Sequence, residues 1–259
     1  MAIPSRQARS PAKNLPLRYP SRTSVGVNCP KDWPARLRWM FIRFFCAASR
    51  AQVNHGMKQA PGGVDFPQRC GEHRSMALTY SVPLGPDFAI PEFSLPDVAT
   101  GRNLSPAAIS GEKGTVVAFM CRHCPYVMHV LPMFLELALE YGARGLGFAA
   151  ISSNDILSYP GDAPERLREM TEANKFPFPL LYDETQDTAR AFHAVCTPEF
   201  YVFDQRSKLQ YHGRMDGSSP GNNVPCTGTE LRAALDALLE GRNAPSPQHP
   251  GMGCNIKWK

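Results

Sequence analysis

Short apolar runs alternate with helical patterns along the chain from Met76 onward. The almost entirely apolar run Thr115–Met120 is typical of a strand that is buried on both faces. Gly147–Ser152 predicts the next buried strand, and Pro164–Asn174 predicts a helix with proline at its first position. This alternation predicts an α/β sheet domain over residues 76–259.

The other predicted elements of this domain are shorter or lie at its ends. Proline inside the first long helix predicts a kink at Pro132. Gly142 predicts a left-handed residue just after that helix. The elements are a β-hairpin from Pro91 to Leu95 with its turn at Thr100–Arg102, a helix over Pro125–Tyr141, a strand over Pro179–Leu181, a helix over Thr185–Phe192, a hairpin of Phe200–Phe203 with Leu209–Gly213, and a closing helix over Thr229–Glu240.

Residues 1–75 show no sustained strand or helix period, and they carry most of the positive charge. They hold 13 Lys and Arg against 3 Asp and Glu, whereas residues 76–259 hold 15 against 20. This segment cannot bury enough apolar surface to offset chain entropy, so we predict a disordered basic extension. A basic tail can contact nucleic acid or anionic lipid. The interpretation we favour is a tail without a selected function, and no nucleic-acid partner is predicted.

The eight cysteines are too few and too irregularly spaced for a disulfide scaffold. This usage is typical of a reducing compartment, and it predicts a cytoplasmic protein. No stretch of ~18 uncharged apolar residues exists to span a bilayer. Residues 1–20 have no apolar core of a secretory signal. Neither a membrane span nor secretion is therefore predicted.

Candidate chemistry lies in the segment Cys121-Arg122-His123-Cys124-Pro125, between a buried strand and a helix. The free N–H groups and dipole of a helix N-terminus favour an anion, so we expect a lowered pKa at Cys121. Arg122 and His123 add positive charge beside that sulfur. Cys124 is expected one turn later, where it can attack a mixed disulfide formed at Cys121.

Two other interpretations of a Cys-x-x-Cys pair stay open. It could be half of a zinc site, although no second pair completes one, or it could be an inert structural pair. The segment Cys196-Thr197-Pro198, immediately before a predicted strand, favours redox chemistry.

Residues 84–259 resemble the alkyl hydroperoxide reductase/thiol-specific antioxidant branch of thioredoxin-like proteins, and more narrowly the bacterial peroxiredoxin-like thioredoxin family proteins. The resemblance implies a thioredoxin-like fold, with a central mixed sheet, helices on both faces and an N-terminal β-hairpin. It also implies a cis Thr197–Pro198 bond packed against the active-site sulfurs. The matching stretches are Gly85–Phe88, Cys121–Pro125, Ile151–Asp155, Leu181–Glu184, Cys196–Pro198, Arg232–Leu238 and Gly253–Trp258.

The sequence departs from this pattern at three positions. Peroxiredoxins place Thr three residues and Pro seven residues before the peroxide-reactive cysteine, where this chain has Ala118 and Gly114. The buried acid that thioredoxin places six residues before its first cysteine is replaced by Thr115. Efficient peroxidase activity and an aspartate proton relay at that position are therefore not expected.

These observations together predict a thiol–disulfide oxidoreductase with a peroxiredoxin-like antioxidant role. Cys121 attacks, Cys124 resolves, Arg122 and His123 stabilise the thiolate, and Thr197 and Pro198 shape the substrate groove. Cys196 and Cys254 are candidates for additional redox thiols. The alternatives are a slow thiol peroxidase and a non-catalytic module that binds a partner or a metal. The expected partners are protein or small-molecule disulfides and thiols and a thiol reductant, with no cofactor and no resident metal.

Overall fold

The computed structural model describes residues 78–259, in which short strands alternate with helices. A single 3₁₀ turn, Pro160–Asp162, precedes the third helix. In chain order the elements are β1 (Leu78–Tyr80), β2 (Leu95–Pro96), β3 (Asn103–Leu104), α1 (Pro106–Ile109), β4 (Gly114–Phe119), α2 (Pro125–Gly142), β5 (Leu146–Ser152), α3 (Pro164–Asn174), β6 (Leu180–Tyr182), α4 (Asp187–Ala191), β7 (Cys196–Thr197), β8 (Glu199–Phe203), β9 (Leu209–Gly213), α5 (Thr229–Leu239) and β10 (Met252–Asn255).

A five-stranded mixed sheet, in the order β6–β5–β4–β8–β9, lies at the centre of the fold. β4 pairs in parallel with β5 and antiparallel with β8, so that Ala118 lies between Ala150 and Phe200. Every residue of β4 is buried, as its apolar run predicts. The mixed sheet expected from the resemblance is confirmed.

Alternate residues of β4 enter two separate apolar cores, one on each face of the sheet. Val116 and Ala118 pack in the core that contains α2 and α5 residues such as Phe134 and Leu235. The alternating residues Val117 and Phe119 pack in the opposite core with residues of α1 and α4. Helices therefore cover both faces. Burying a large apolar side chain contributes about 1.5–3 kcal/mol, and these two cores hold the sheet rigid beneath the site.

Helix α2 begins at Pro125, as predicted, and includes Pro132. It ends one residue later than predicted, because Gly142 is still helical and Ala143, the C-cap, has right-handed dihedrals. The prediction of a left-handed Gly142 is wrong: the left-handed residue after this helix is Gly145, with φ +98°. The kink at Pro132 stays a prediction.

Three features at the edge of the fold differ from the prediction. β1, β10 and β7 form a separate antiparallel sheet in which the C-terminal strand is central. The turn Pro160–Asp162 adds a short element that no sequence pattern indicates. The predicted N-terminal hairpin exists, but its paired residues are β2 and β3, and most of Pro91–Leu95 is unpaired.

The predicted disordered extension, residues 1–75, lies outside the described residues, and so does the predicted domain start at Met76. None of the helices in the described part of the chain has the length and apolarity to cross a membrane.

Candidate active site

The two thiols of the Cys-x-x-Cys segment lie between the end of β4 and the start of α2. Cys124 is the N-cap of α2, with extended dihedrals of φ −75° and ψ 121°. Cys121 lies three residues earlier, between the end of β4 and the helix. Cys121 is 2% exposed and Cys124 is fully buried. Arg122 between them is exposed, and His123 is partly buried.

The Thr197–Pro198 loop faces both thiols. Its peptide bond is cis, as the resemblance implied. Thr197 Oγ1 lies 3.5 Å from Cys121 Sγ, and the Cys124 thiol donates a hydrogen bond to the Thr197 carbonyl oxygen at 3.2 Å. One residue therefore contacts both sulfurs, once through its side chain and once through its backbone.

Asp162 is a site residue that sequence reasoning missed. Its carboxylate is fully buried and accepts the backbone N–H of Arg122 at 2.8 Å and the side-chain amide of Asn154 at 2.8 Å. His123 Nδ1 lies 2.5 Å from the same carboxylate. Burial alone would raise the pKa of Asp162, but the hydrogen bonds from His123, Asn154 and Arg122 hold it below the usual range. Asp162 therefore places a negative charge under the Cys-x-x-Cys turn.

The His123 ring is held on two sides. It stacks on the Tyr159 ring with the centroids 5.3 Å apart and the planes 10° from parallel. Its Nε2 is buried and has no hydrogen-bond partner. One ligand atom from each of Cys121, His123 and Asp162 lies within 4.8 Å of the others, a spacing that could hold one metal ion. The sequence prediction of no resident metal is not tested by this geometry.

The two sulfurs shift each other's pKa values in opposite directions. The hydrogen bond to Cys124, burial and the charge of Asp162 raise the pKa of Cys121 well above its ordinary value. Hydrogen bonds from Cys121 and Cys254, with backbone N–H groups of Val127 and Cys254, lower the pKa of Cys124 to about 2. The raised pKa of Cys121 is contrary to the sequence prediction, which did not include burial or the charge of Asp162.

Cys196, the first candidate for an additional thiol, points toward a carboxylate. Its Sγ donates to Glu199 Oε2 at 3.6 Å, and Glu199 is fully buried. Burial, followed by the charge of Glu199, raises the pKa of Cys196 far above its ordinary value. Glu199 also receives a hydrogen bond from Tyr201 and lies 2.7 Å from His212 Nε2. Cys196 is thus held as a thiol that anchors the loop before Pro198.

The C-terminal tail after α5 is an ordered part of the site. Asn154 bridges the tail and the active-site turn, because its Oδ1 accepts the backbone N–H of Lys257 at 2.8 Å while its amide donates to Asp162. The ring of Trp258 lies 4.7 Å from the Arg190 guanidinium. Cys254, the second candidate thiol, is 3% exposed in β10.

A partly apolar groove with a cavity volume of about 20 Å³ opens beside Pro198. Its walls come from the first turns of α2, from the loop after β9 and from β10. The lining residues are Tyr126, Val130, Pro198, Arg214, Met215, Asp216, Ser218 and Met252.

The mixed sheet, the Cys-x-x-Cys turn at a helix start and the facing cis-proline loop define a redox protein with a thioredoxin-like fold. Known proteins agree with this class. A family profile described as the AhpC/TSA family matches residues 86–212. Residues 86–212 thus form an AhpC/TSA domain, and the chain is a peroxiredoxin-like protein of the thioredoxin superfamily and an oxidoreductase.

Two solved structures share most of the described fold. An uncharacterized conserved protein from Geobacillus kaustophilus is 44% identical, with a TM-score of 0.70, over 71% of this chain and 98% of that chain. A hypothetical protein from Sinorhizobium meliloti is 36% identical, with a TM-score of 0.68, over 70% of this chain and 98% of that chain. No curated protein matches the sequence significantly.

Proposed function

We propose that the protein is a thiol–disulfide oxidoreductase whose redox centre is the Cys121–Cys124 pair. The observation that carries the proposal is the contact of both sulfurs with Thr197, beside a groove lined by Pro198. A disulfide substrate in this groove would lie next to the sulfur of Cys121. Its two electrons come from the pair, so no cofactor is required.

The reaction consists of two exchanges. The Cys121 thiolate attacks one sulfur of the substrate disulfide, the other substrate sulfur leaves and takes a proton, and a mixed disulfide forms at Cys121. Cys124 then attacks Cys121 Sγ and releases the second substrate thiol. The products are two substrate thiols and a Cys121–Cys124 disulfide.

Position and proton sharing favour Cys121 as the attacking sulfur. Both thiols are buried, but Cys124 caps α2 beneath Thr197, whereas Cys121 follows β4 next to the exposed Arg122. The raised pKa of Cys121 and the lowered pKa of Cys124 fit a reduced pair that shares one proton. When this proton moves to Cys124, Cys121 becomes the thiolate, and the N-terminus of α2 and Arg122 then stabilise the charge.

The test is reduction of a small-molecule disulfide by reduced protein, with Cys121→Ser, Cys124→Ser and the matched control Cys226→Ser. Cys226 is a half-buried thiol in the loop before α5. We expect Cys121→Ser to abolish reduction, Cys124→Ser to stop at a trapped mixed disulfide, and Cys226→Ser to react like the parent. Full activity of Cys121→Ser would refute the assignment. The trapped species, identified by mass spectrometry, would name the partners.

A slow thiol peroxidase is the second candidate, and the Thr197 hydroxyl supports it. Ala118 removes the hydroxyl that the peroxiredoxin pattern supplies from β4, but Thr197 Oγ1 lies 3.5 Å from Cys121 Sγ. One donor near the sulfur could aid release of hydroxide, and loss of one such donor elsewhere costs ~10²–10³ in rate. We expect stopped-flow peroxide consumption to be slow and to require Cys121. A rate typical of dedicated peroxiredoxins would favour the peroxidase.

The non-catalytic alternative depends on the cluster of Cys121, His123 and Asp162, which could hold a metal. Metal analysis of the purified reduced protein tests it, and a stoichiometric ion lost in Asp162→Asn would support it. The proposed partners are disulfide and thiol substrates with a separate thiol reductant, and a cytoplasmic site of action stays a prediction from cysteine usage.

A further inference from the structure

Strand β10 brings a third thiol to the redox centre. β10 lies between β1 and β7, and Cys254 is opposite Thr197 in the β10–β7 register. Thr197 is the residue that contacts both active-site sulfurs. Cys254 packs in the same apolar core as Cys121 and Cys124. The three sulfurs therefore lie around one residue of the cis-proline loop.

The close approach of β10 depends on Gly253. A Cβ on this residue would lie 2.0 Å from the Thr197 carbonyl oxygen, which is far inside van der Waals contact. The missing side chain lets β10 run directly against the loop that faces the thiols. Because Cys254 is the next residue, it is held beside the same loop, opposite Thr197.

Cys124 is the central sulfur of the three. It receives hydrogen bonds from the thiols of Cys121 and Cys254. Each flanking thiol therefore lies near enough to Cys124 to lower its pKa.

The tail is held in this position from both sides of Cys254. Before it, the Gly251 N–H donates to Ser81 Oγ at 2.7 Å. After it, Ile256 N–H donates to the Val195 carbonyl at 3.0 Å, and the Gln186 side-chain amide donates to the Lys257 carbonyl at 2.8 Å. A nucleophile held in contact with its target reacts with a high effective concentration.

We propose that Cys254 takes over the disulfide formed by the Cys-x-x-Cys pair, an inference that rests on the proposed function. The Cys254 sulfur attacks Cys124 Sγ, the Cys121–Cys124 bond breaks and a Cys124–Cys254 bond forms. The Cys254 proton passes to the departing Cys121 sulfur, so the exchange consumes no oxidant or reductant. Cys121 becomes a free thiol again, while the disulfide joins the start of α2 to the C-terminal tail.

Oxidation of the pair itself prepares Cys254 for this step. In the reduced centre, its hydrogen bond to Cys124 raises the pKa of Cys254 more than burial does. A disulfide at Cys124 carries no negative charge, so this contribution disappears, while the Lys257 ammonium continues to lower the pKa of Cys254. The third thiol is therefore passive before the pair is oxidised and more nucleophilic afterwards.

Peptide mapping of the oxidised full-length protein distinguishes the two disulfides, because Arg122 separates Cys121 from Cys124. Reduced protein is treated with one equivalent of diamide, free thiols are blocked with N-ethylmaleimide, and the protein is unfolded and digested with trypsin. A Cys121–Cys124 bond joins residues 114–122 to 123–144, and a Cys124–Cys254 bond joins 123–144 to 243–257. We expect to find both disulfide-linked peptide pairs. In the molecules that carry the Cys124–Cys254 bond, Cys121 should be labelled with N-ethylmaleimide.

Three variants complete the experiment. Cys254→Ser should not form the Cys124–Cys254 bond. In the singly oxidised form of this variant, Cys121 should therefore not be labelled by N-ethylmaleimide. The control Cys226→Ser should behave like the parent. Cys121→Ser should still form the Cys124–Cys254 bond. Absence of that bond from the oxidised parent overturns the relay. If the parent then still forms Cys121–Cys124 and reduces a disulfide, the proposed function stands; if it does neither, both ideas fail.

Discussion

At the scale of single residues, a buried carboxylate reaches the proposed redox centre from an unexpected part of the chain. Thr115 replaces the acid that thioredoxin carries in the strand before its thiols, and Thr115 is buried without a charge. Asp162 supplies a carboxylate instead, from the 3₁₀ turn that precedes α3. Its Pro-Gly-Asp context carries no motif. Only the path of the chain after β5 brings it under Arg122, so sequence spacing could not have found it.

Asp162→Asn should make Cys121 more reactive and the protein less stable. The negative charge of Asp162 raises the pKa of Cys121, so its removal lowers that pKa and increases the fraction of Cys121 that is thiolate at neutral pH. A pKa lower by one corresponds to about ten times more thiolate. An amide cannot accept all three hydrogen bonds, so the free energy of unfolding should fall by about 1–3 kcal/mol.

Iodoacetamide kinetics and thermal unfolding measure these two effects. Asp97→Asn in the β2–β3 hairpin is the control, because Asp97 is similarly buried. Slower alkylation of Cys121 in Asp162→Asn would show that the carboxylate aids the thiolate rather than opposing it.

The shared proton predicts an unusual pH profile for Cys121. A lowered pKa at Cys124 and a raised pKa at Cys121 would leave the pair with one negative charge across neutral pH. The alkylation rate of Cys121 should therefore change less than about threefold between roughly pH 6 and 8. For an ordinary cysteine below its pKa, the alkylation rate rises about tenfold for each pH unit. In Cys124→Ser the steep dependence should return. A steep profile in the parent would contradict proton sharing.

At the scale of elements, the hydrophobic pattern predicted the strands and helices that have a clear local signal. It missed the short strands that form only by pairing with distant parts of the chain. β4, β5, α3 and α5 have long apolar runs or clear helix signals, and their bounds agree with the prediction within about one residue. β7 has two residues, and β10 has the sequence Met-Gly-Cys-Asn, without alternation. Both are strands only because they pair with each other and with β1, which no local pattern can indicate.

Gly253→Ala should displace β10, whereas Gly142→Ala should not harm the protein. The new methyl group at 253 meets the Thr197 carbonyl, and overpacking of this kind costs about 1–3 kcal/mol. At 142 nothing lies within 4 Å, and alanine in a helix is about 0.5–1 kcal/mol more favourable than glycine. Chemical denaturation compares the two. An equally stable Gly253→Ala would show that β10 does not press on the loop.

At the scale of the whole molecule, the fold class and the location of the thiols could be predicted, but the architecture of the site could not. Sequence reasoning paired Cys121 with Cys124 because three positions separate them. The assembly around them comes from residues far apart in the chain: Asp162, Asn154, Thr197 and Cys254. The start of α2 at Pro125 was predicted, whereas the opposite pKa shifts of the two thiols, which depend on their contacts with each other, with Asp162 and with Cys254, were not.

Deletion of residues 252–259 should open the centre. The deletion removes the central strand of the β1–β10–β7 sheet and the backbone partner of Asn154. We expect a lower melting temperature and alkylation of Cys124, which the parent keeps fully buried. Mass spectrometry after brief labelling of reduced protein measures this exposure. A truncated protein in which Cys124 stays as protected as in the parent would show that Thr197 alone covers it.

Because β10 is paired with β7, an extended peptide that binds at the same edge must compete with the protein's own C-terminal tail. The backbone edge of β7 that an extended peptide would need is occupied by a segment of the same chain, about 13 residues beyond the end of α5. A short tether of this kind maintains a local concentration of the order of millimolar at its docking edge. A free peptide in solution must exceed that concentration or bind more tightly to displace it. Under the proposed function, the occupied edge of β7 therefore favours substrates that approach Cys121 beside Pro198 without adding a strand.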